Sequence, residues 1–296
     1  MAGSGHVHVG GSGPARDRWH THGADLMMTS AEPLTAAYDG LVEEYDETWS
    51  IHVKEPQQRL TRELCLRPGL RCVDVGCGTG VDTLEMLRIT APGEMVAVDC
   101  SSLMLDSAQR RAQKANLSLT TVCKDAATFI TESTPASFDV VSLRFCLGYL
   151  DWRALLATTS ELVRPSGRLG ILTILATSAP QAYHAYEEMI RSMGLPKVTR
   201  SAPQSLTEIE RALEGTGCEL ESQWLHPFRL MFATGRELAR FLSQSGLATH
   251  PLLDQLPQEA ASMLWNRFAE LLELQRTPSG IPLDFELAGV VARMRA

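Results

Sequence analysis

No stretch of the 296-residue chain approaches the roughly 20 consecutive apolar residues that a helix needs to cross a bilayer. A helical membrane span is therefore excluded, and no membrane partner is expected. Nor does the N-terminus hold the apolar core of a signal peptide, so the expected compartment is the cytoplasm. Paired cysteines are missing as well. Cys65, Cys72, Cys77, Cys100, Cys123, Cys146 and Cys218 are odd in number, scattered, and form no C-x-x-C pair. They read as reduced thiols rather than a disulfide framework or a zinc cluster. Basic runs are absent too, and the formal net charge is -8. A nucleic-acid surface needs clustered Lys and Arg to release phosphate counterions, so that partner class is set aside. Four of the eight histidines, His6, His8, His20 and His22, lie in the Gly-rich stretch "MAGSGHVHVGGSGPARDRWHTHGAD". Nothing there fixes ligand geometry, and no metal site is expected.

What remains is an ordinary globular composition, 44% hydrophobic and 21% charged, on a chain long enough to bury a core without covalent staples. Residues 1–30 read as a flexible leader, because their composition cannot pack. Residues 31–66 read as an N-terminal helical lid segment, with apolar positions at helical spacing over 34–49 and 56–66. The pattern then changes. "LRCVDVG" (70–76), "EMVAVD" (94–99), "LSLTTVC" (117–123), "SFDVVSL" (137–143) and "RLGILTIL" (168–175) are short apolar runs, separated by helical patterns at 81–89, 103–115 and 151–163. Such alternation predicts an α/β fold, a doubly wound parallel sheet with helices on both faces. Residues 67–178 form this core. A helical insertion follows at 179–204. Residues 205–296 return to the sheet, with strands at 218–225 and 285–294 and a second helical insertion at 235–276. The helical pieces together predict a lid over the sheet, and exposed apolar lid faces could also pair subunits into a homo-oligomer.

Ligands of doubly wound sheets bind beyond the carboxyl ends of the strands. Here the first strand of the alternating core ends in "VDVGCGTG" (73–80), three glycines in five positions. Glycine lets a ligand touch backbone, and the helix that follows aims free N–H groups at it. The spacing is G-x-G-x-G, whereas the dinucleotide fingerprint is G-x-G-x-x-G, which disfavours a nicotinamide-dependent oxidoreductase. Two carboxylates sharpen the reading. Asp99 ends the next strand, where it can accept from both hydroxyls of a ribose. Asp125 follows the strand after that, where it can accept from an adenine amine. Asp74 sits just before the glycines and can orient an ammonium group. Ribose, adenine and ammonium, without a phosphate-binding lysine, describe S-adenosylmethionine.

The stretches "VDVGCGTG" (73–80), "VAVDCSSLML" (96–105), "KDAATF" (124–129), "FDVVSL" (138–143) and "LVRPSGRLGIL" (162–172) resemble, in order and spacing, the class I S-adenosylmethionine-dependent methyltransferases. "EEYDETW" (43–49) is similar to a segment that precedes the core in members acting on small molecules. The resemblance implies a seven-stranded Rossmann-like sheet whose last strand is antiparallel and inserted beside the sixth. It also implies site residues. Asp74, Gly76, Gly78 and Gly80 match the methionine-side turn and Asp99 the ribose ligand. Cys100 adjoins that ligand, and Asp125 and Ala126 match the adenine pocket. Leu143, Arg144 and Phe145 end the strand where cofactor and acceptor meet. Tyr45 is a candidate lid over the cofactor, or a tyrosine packing two helices. "RPSG" (164–167) departs from the family's usual Pro-Gly-Gly turn.

For a methyltransferase the protein's main tasks are alignment and exclusion of water. An Asn- or Asp-Pro-Pro-Tyr motif, the sign of an amide or adenine nitrogen target, is missing. "LRFCLGYLDW" (143–152) stands in its place. The expected acceptor is a small, partly apolar metabolite methylated on oxygen or nitrogen, with carbon behind them. Its contacts are expected from Phe145, Tyr149, Tyr183, Tyr186, Phe228 and Met231. His184 and His226 are the candidate bases, since an alcohol or phenol must lose its proton. Arg144 either holds an acidic substrate group or pairs with a helix carboxylate. One further alternative is a cofactor-binding subunit that has lost transfer.

Overall fold

The computed structural model describes residues 19–22, 25–28, 35, 38–149, 151–192, 194, 197–198, 201–247 and 257–296. In chain order the strands are β1 (Trp19–His22), β2 (Asp25–Met28), β3 (Arg71–Val75), β4 (Glu94–Asp99), β5 (Thr120–Cys123) and β6 (Phe138–Arg144). They continue with β7 (Val163–Ile174), β8 (Lys197–Val198), β9 (Cys218–Phe232) and β10 (Ile281–Met294). The helices are α1 (Lys54–Glu63), α2 (Val81–Thr90), α3 (Ser102–Lys114), α4 (Ala126–Glu132) and α5 (Trp152–Glu161). After them come α6 (Pro180–Ser192), α7 (Leu206–Leu213), α8 (Gly235–Gln244) and α9 (Gln258–Glu273).

Seven strands form one sheet in the order β5-β4-β3-β6-β7-β10-β9. β10 runs antiparallel to both of its neighbours and the remaining pairs are parallel. This is the class I methyltransferase topology, with the last strand inserted beside the sixth. Side chains alternate along each strand. Cys72, Met95 and Ala97 join the core under α1, α2 and α3, whereas Val73, Val75, Val96 and Val98 join the core under α4, α5 and α7. Burial on both faces explains why the parallel strands read as unbroken apolar runs. Helix starts follow local chemistry. Ser101 Oγ accepts from Met104 N at 3.0 Å, Asp125 Oδ1 from Thr128 N at 2.9 Å and Thr234 Oγ1 from Glu237 N at 3.1 Å, each meeting one of the helix's unpaired N–H groups.

Two regions differ from the sequence reading. Strands expected at 218–225 and 285–294 are longer, and β9 pairs β10 from Cys218↔Met294 to Phe232↔Ile281. Their upper halves extend past β7, whose pairing with β10 stops at Leu287↔Ile174. Pro227 hid this extension, because proline removes a ladder donor. It is tolerated because β9 is an edge strand. Within the supposed leader, β1 and β2 form an antiparallel hairpin, and β2 pairs in parallel with β8 of the insertion. That pairing depends on a partner some 170 residues away in sequence order, which leader composition does not reveal. All seven cysteines are free thiols. Among the described residues no helix is long and apolar enough to cross a membrane.

Gly289 of β10 lies opposite Trp224 of β9. A Cβ at Gly289 would sit 2.2 Å from the Trp224 ring. The ring cannot yield, because its Nε1 donates to Glu63 at 3.0 Å and the Arg59 guanidinium covers it at 4.4 Å. Gly289→Ala is expected to cost about 1–3 kcal/mol of stability through overpacking, read as a lower midpoint in urea. An unchanged midpoint would mean the ring has room to move.

Candidate active site

The turn after β3 is held from below. The amides of Gly76 and Cys77 donate to the Val98 carbonyl at 2.8 and 3.0 Å, tying the turn to β4. Gly78 and Gly80 are both left-handed, with φ of 53° and 79°, but they serve different ends. A Cβ on Gly80 would lie 2.5 Å from the Cβ of Ala108, so this glycine lets α3 approach. At Gly78 the nearest atom to such a Cβ is Tyr45 Cε1, at 4.0 Å. Its backbone therefore faces open space, as a ligand-contacting turn requires.

Asp99 holds this turn against the next one. Its Oδ2 accepts from Gly78 N and its Oδ1 from Ser101 N, both at 2.9 Å. Burial pushes its pKa up, against the pull of these amides. Each oxygen keeps a second lone pair, so Asp99 has capacity for further hydroxyl donors. Cys100 beside it is half-buried, its thiol pushed up to about 11 mainly by burial. Asp125 and Ala126 are half-buried at the start of α4, where Asp125 is the N-cap and its Oδ1 is already engaged. Asp74 is 1% exposed. Thr83 Oγ1 donates to its Oδ2 at 2.6 Å, whereas its Oδ1 is buried without a hydrogen-bond partner.

Arg144 resolves one of the alternatives left by the sequence. Its guanidinium is 5% exposed and bonded to α1, through Gln57 O at 3.1 Å and Thr61 Oγ1 at 2.9 Å. It stands 3.6 Å from Asp82 Oδ1 and 3.9 Å from Asp74 Oδ1. Arg144 is thus the helix-paired arginine, and its donors are taken up by protein. Asp82, which the motif pattern did not single out, has its pKa raised to about 6 by desolvation, with Arg144 opposing. Its place in the first turn of α2, directly after the glycines, was the available signal. Leu143 is corrected: its side chain is fully buried with the α4–α5 face of the sheet, so only its backbone can border a ligand.

The segment before α1 closes over the turn. Asp46–Ser50 forms a wide π-type turn, and Asp46 Oδ1 accepts from Thr79 Oγ1 at 2.6 Å. Asp46 also pairs with Arg111 of α3. Tyr45 and Trp49 are carried over the glycines, and a pocket with about 400 Å³ of empty space lies between them and Asp74, Gly78, Asp82 and Phe145. Of the candidate cofactor residues, Tyr45, Asp74, Gly76, Gly78 and Arg144 line this pocket.

A second, apolar pocket lies under α6, α8 and α9, lined by Tyr183, Tyr186, Phe268 and Phe285 among others. Phe228 stacks on Phe285 at 4.9 Å. The candidate acceptor residues divide accordingly. Tyr183 and Tyr186 line the pocket and Phe228 backs its wall. Met231 is 46% exposed on the opposite face of β9 and does not contribute. The side chain of Tyr149 lies outside the described residues. His184 is exposed on the outer side of α6, one position off the buried Ala182–Ala185–Tyr186–Met189 stripe, which removes it as a base. His226 lies on the Phe228 face of β9, and its Nδ1 is 2.9 Å from Glu55 Oε2. His52, unmarked in the sequence, packs edge-on to Phe241 at 5.8 Å, with its pKa lowered by burial.

An orphaned buried carboxylate oxygen, a second carboxylate alongside, three aromatic rings and an open glycine backbone suit a ligand that is cationic at one end. S-adenosylmethionine meets that description. The comparisons agree. A methyltransferase-domain family profile matches residues 72–167. The 27-O-demethylrifamycin SV methyltransferase of Amycolatopsis mediterranei is 30% identical over 215 residues, covering 66% of this chain and 77% of its own. The ubiquinone biosynthesis O-methyltransferase of Xanthomonas campestris pv. campestris is 24% identical over 163 residues, covering 49% of this chain and 67% of its own. The YcgJ protein from Bacillus subtilis shares the fold, with a TM-score of 0.56 at 13% identity, covering 82% of this chain and 99% of that one.

Asp82 generates a pH prediction. Its folded pKa of about 6 lies above its ordinary value of 3.8. Between those values the folded chain keeps a proton that the unfolded chain has lost, so ligand-free stability falls as pH rises through the window. Asp82→Asn is expected to raise the melting temperature near pH 7 and to leave it unchanged near pH 4. A cationic ligand reverses the preference, so S-adenosylmethionine affinity in calorimetry is expected to rise with pH through about 6. A pH-independent affinity in the wild type would remove Asp82 from the site.

Proposed function

Because the chain belongs to the class I S-adenosylmethionine-dependent methyltransferases, we propose that it methylates an oxygen of a small, partly apolar metabolite in specialised metabolism. The observation that carries this reading is the apolar chamber beside the cofactor pocket, walled by Tyr183, Tyr186, Phe268 and Phe285. Such a chamber suits a ring-bearing small molecule held by few polar contacts. Two relatives carry an oxygen acceptor in their names, which favours oxygen over nitrogen or carbon.

Bound S-adenosylmethionine supplies a methyl group already activated as an electrophile. This chain's residues hold and orient. In the proposed arrangement Asp99 accepts from the ribose hydroxyls, Asp125 and Ala126 border the adenine, and Asp74 with Asp82 faces the ammonium group. Arg144 positions those two carboxylates. Tyr45 and Trp49 exclude water. His226 is the proposed base: its Nδ1 lies 2.9 Å from Glu55 Oε2, a carboxylate placed to stabilise the imidazolium formed when the ring takes the acceptor's proton. No feature here favours a nicotinamide, and family membership displaces that alternative.

Screening hydroxylated small molecules for S-adenosylhomocysteine release tests the reaction. Turnover on amines with none on any hydroxyl would sink the oxygen assignment. With an acceptor in hand, His226→Ala is expected to lower kcat by about 10²–10⁴-fold with cofactor affinity unchanged, and Glu55→Gln to lower it less. Wild-type turnover in His226→Ala would show that no base acts there. Asp99→Ala is expected to weaken cofactor binding by about 1–3 kcal/mol through lost charge-assisted bonds. Unaltered affinity in calorimetry would take Asp99 out of the ribose site.

A further inference from the structure

We propose that Trp49 selects acceptors by width, its indole forming the partition between the cofactor pocket and the acceptor chamber. The inference rests on the reading of that chamber as the acceptor site. Trp49 is 2% exposed and lines the cofactor pocket. On one side its ring meets Phe145 edge-on at 5.6 Å, and Phe145 lines the same pocket. On the other it meets Phe285 edge-on at 5.5 Å, and Phe285 lines the chamber. Phe228 stacks behind Phe285. A continuous aromatic series, Phe145–Trp49–Phe285–Phe228, therefore runs from the end of β6 into the chamber. The indole lines the cofactor pocket and touches Phe285, a wall residue of the chamber. In this proposal an acceptor seated in the chamber extends toward the cofactor pocket along that contact.

The backbone that carries Trp49 is not an ordinary helix. It is the π-type turn Asp46–Ser50, and such wide turns recur at functional sites. The turn is fastened to the cofactor side, because Asp46 accepts from Thr79 in the glycine turn at 2.6 Å and pairs with Arg111. An indole has only two side-chain torsions, and its contacts with Phe145 and Phe285 hold the ring. The position of Trp49 is thus tied to the same turn that faces the cofactor. A residue that merely filled the core would affect stability and leave the ranking of acceptors alone.

The test uses the full chain saturated with S-adenosylhomocysteine. Binding of p-cresol, p-tert-butylphenol and p-phenylphenol is measured by calorimetry for the wild type, Trp49→Ala, Trp49→Leu and Trp49→Phe. Melting temperature and S-adenosylhomocysteine affinity report on folding and on the cofactor pocket. Relative to p-cresol, binding of p-phenylphenol is expected to improve about tenfold or more in Trp49→Leu and Trp49→Ala. Trp49→Phe is expected to fall between them and the wild type. Should Trp49→Ala fail to fold, the Leu and Phe variants carry the comparison. Folded variants with the wild-type ranking of the three phenols would overturn the partition while leaving the chamber reading intact. A wild type that binds none of them would overturn the chamber reading, and the partition with it.

Discussion

One carboxylate organises the site. Asp99 ends β4, and its two oxygens accept the amides of Gly78 and Ser101. The tip of one strand thereby holds both the turn above its neighbour and the start of α3. Neither turn could take its left-handed or extended backbone with those amides buried and unpaired. The Val98 carbonyl adds a second tie, through Gly76 and Cys77. What results is a rigid cradle whose open face is the backbone of Gly78.

Above that cradle the charges are arranged around a buried cation. Arg144 is fully engaged by Gln57, Thr61 and Ser142, so it neutralises without reaching for a ligand. Asp74 and Asp82 share it. With both ionised, the group of three carries one surplus negative charge in a poorly solvated place. Burial resists that charge, as the raised pKa of Asp82 records. A cationic ligand relieves it. Stability of this pocket and its affinity for a cation are coupled through the same two carboxylates.

The Asp46–Ser50 turn links the glycine cradle to the wall of the apolar pocket. Asp46 latches the Tyr45–Trp49 turn to Thr79 and Arg111, and Trp49 reaches from there to Phe285 on β10. The extended β9–β10 arm supplies the apolar floor, and α6, α8 and α9 roof it. Chain segments far apart in sequence thus meet on one aromatic series. Changes in the C-terminal arm can alter the apolar pocket without touching the glycine cradle.

The alternation of apolar runs, the glycine spacing and the two acidic strand tips pointed to the sheet and the cofactor, and the family resemblance carried by the same stretches added the reaction class. These are local signals: period, turn chemistry and strand ends repeat wherever such a fold binds such a ligand. The walls of the two pockets were not legible in this way. Asp82 and Trp49 matter through partners at Arg144 and Phe285, on other elements. His184 and Met231 carried suitable side chains at plausible places, but one lies a position off the buried helical stripe and the other faces outward on an alternating strand. Leu143 and Arg144 are adjacent on β6, yet the pleat sends one to each face of the sheet. Which face a side chain takes, and what meets it there, is settled by packing between distant segments. That is why the sequence alone determined the sheet and its glycine turn, and only the tertiary structure decided which side chains meet around the two pockets.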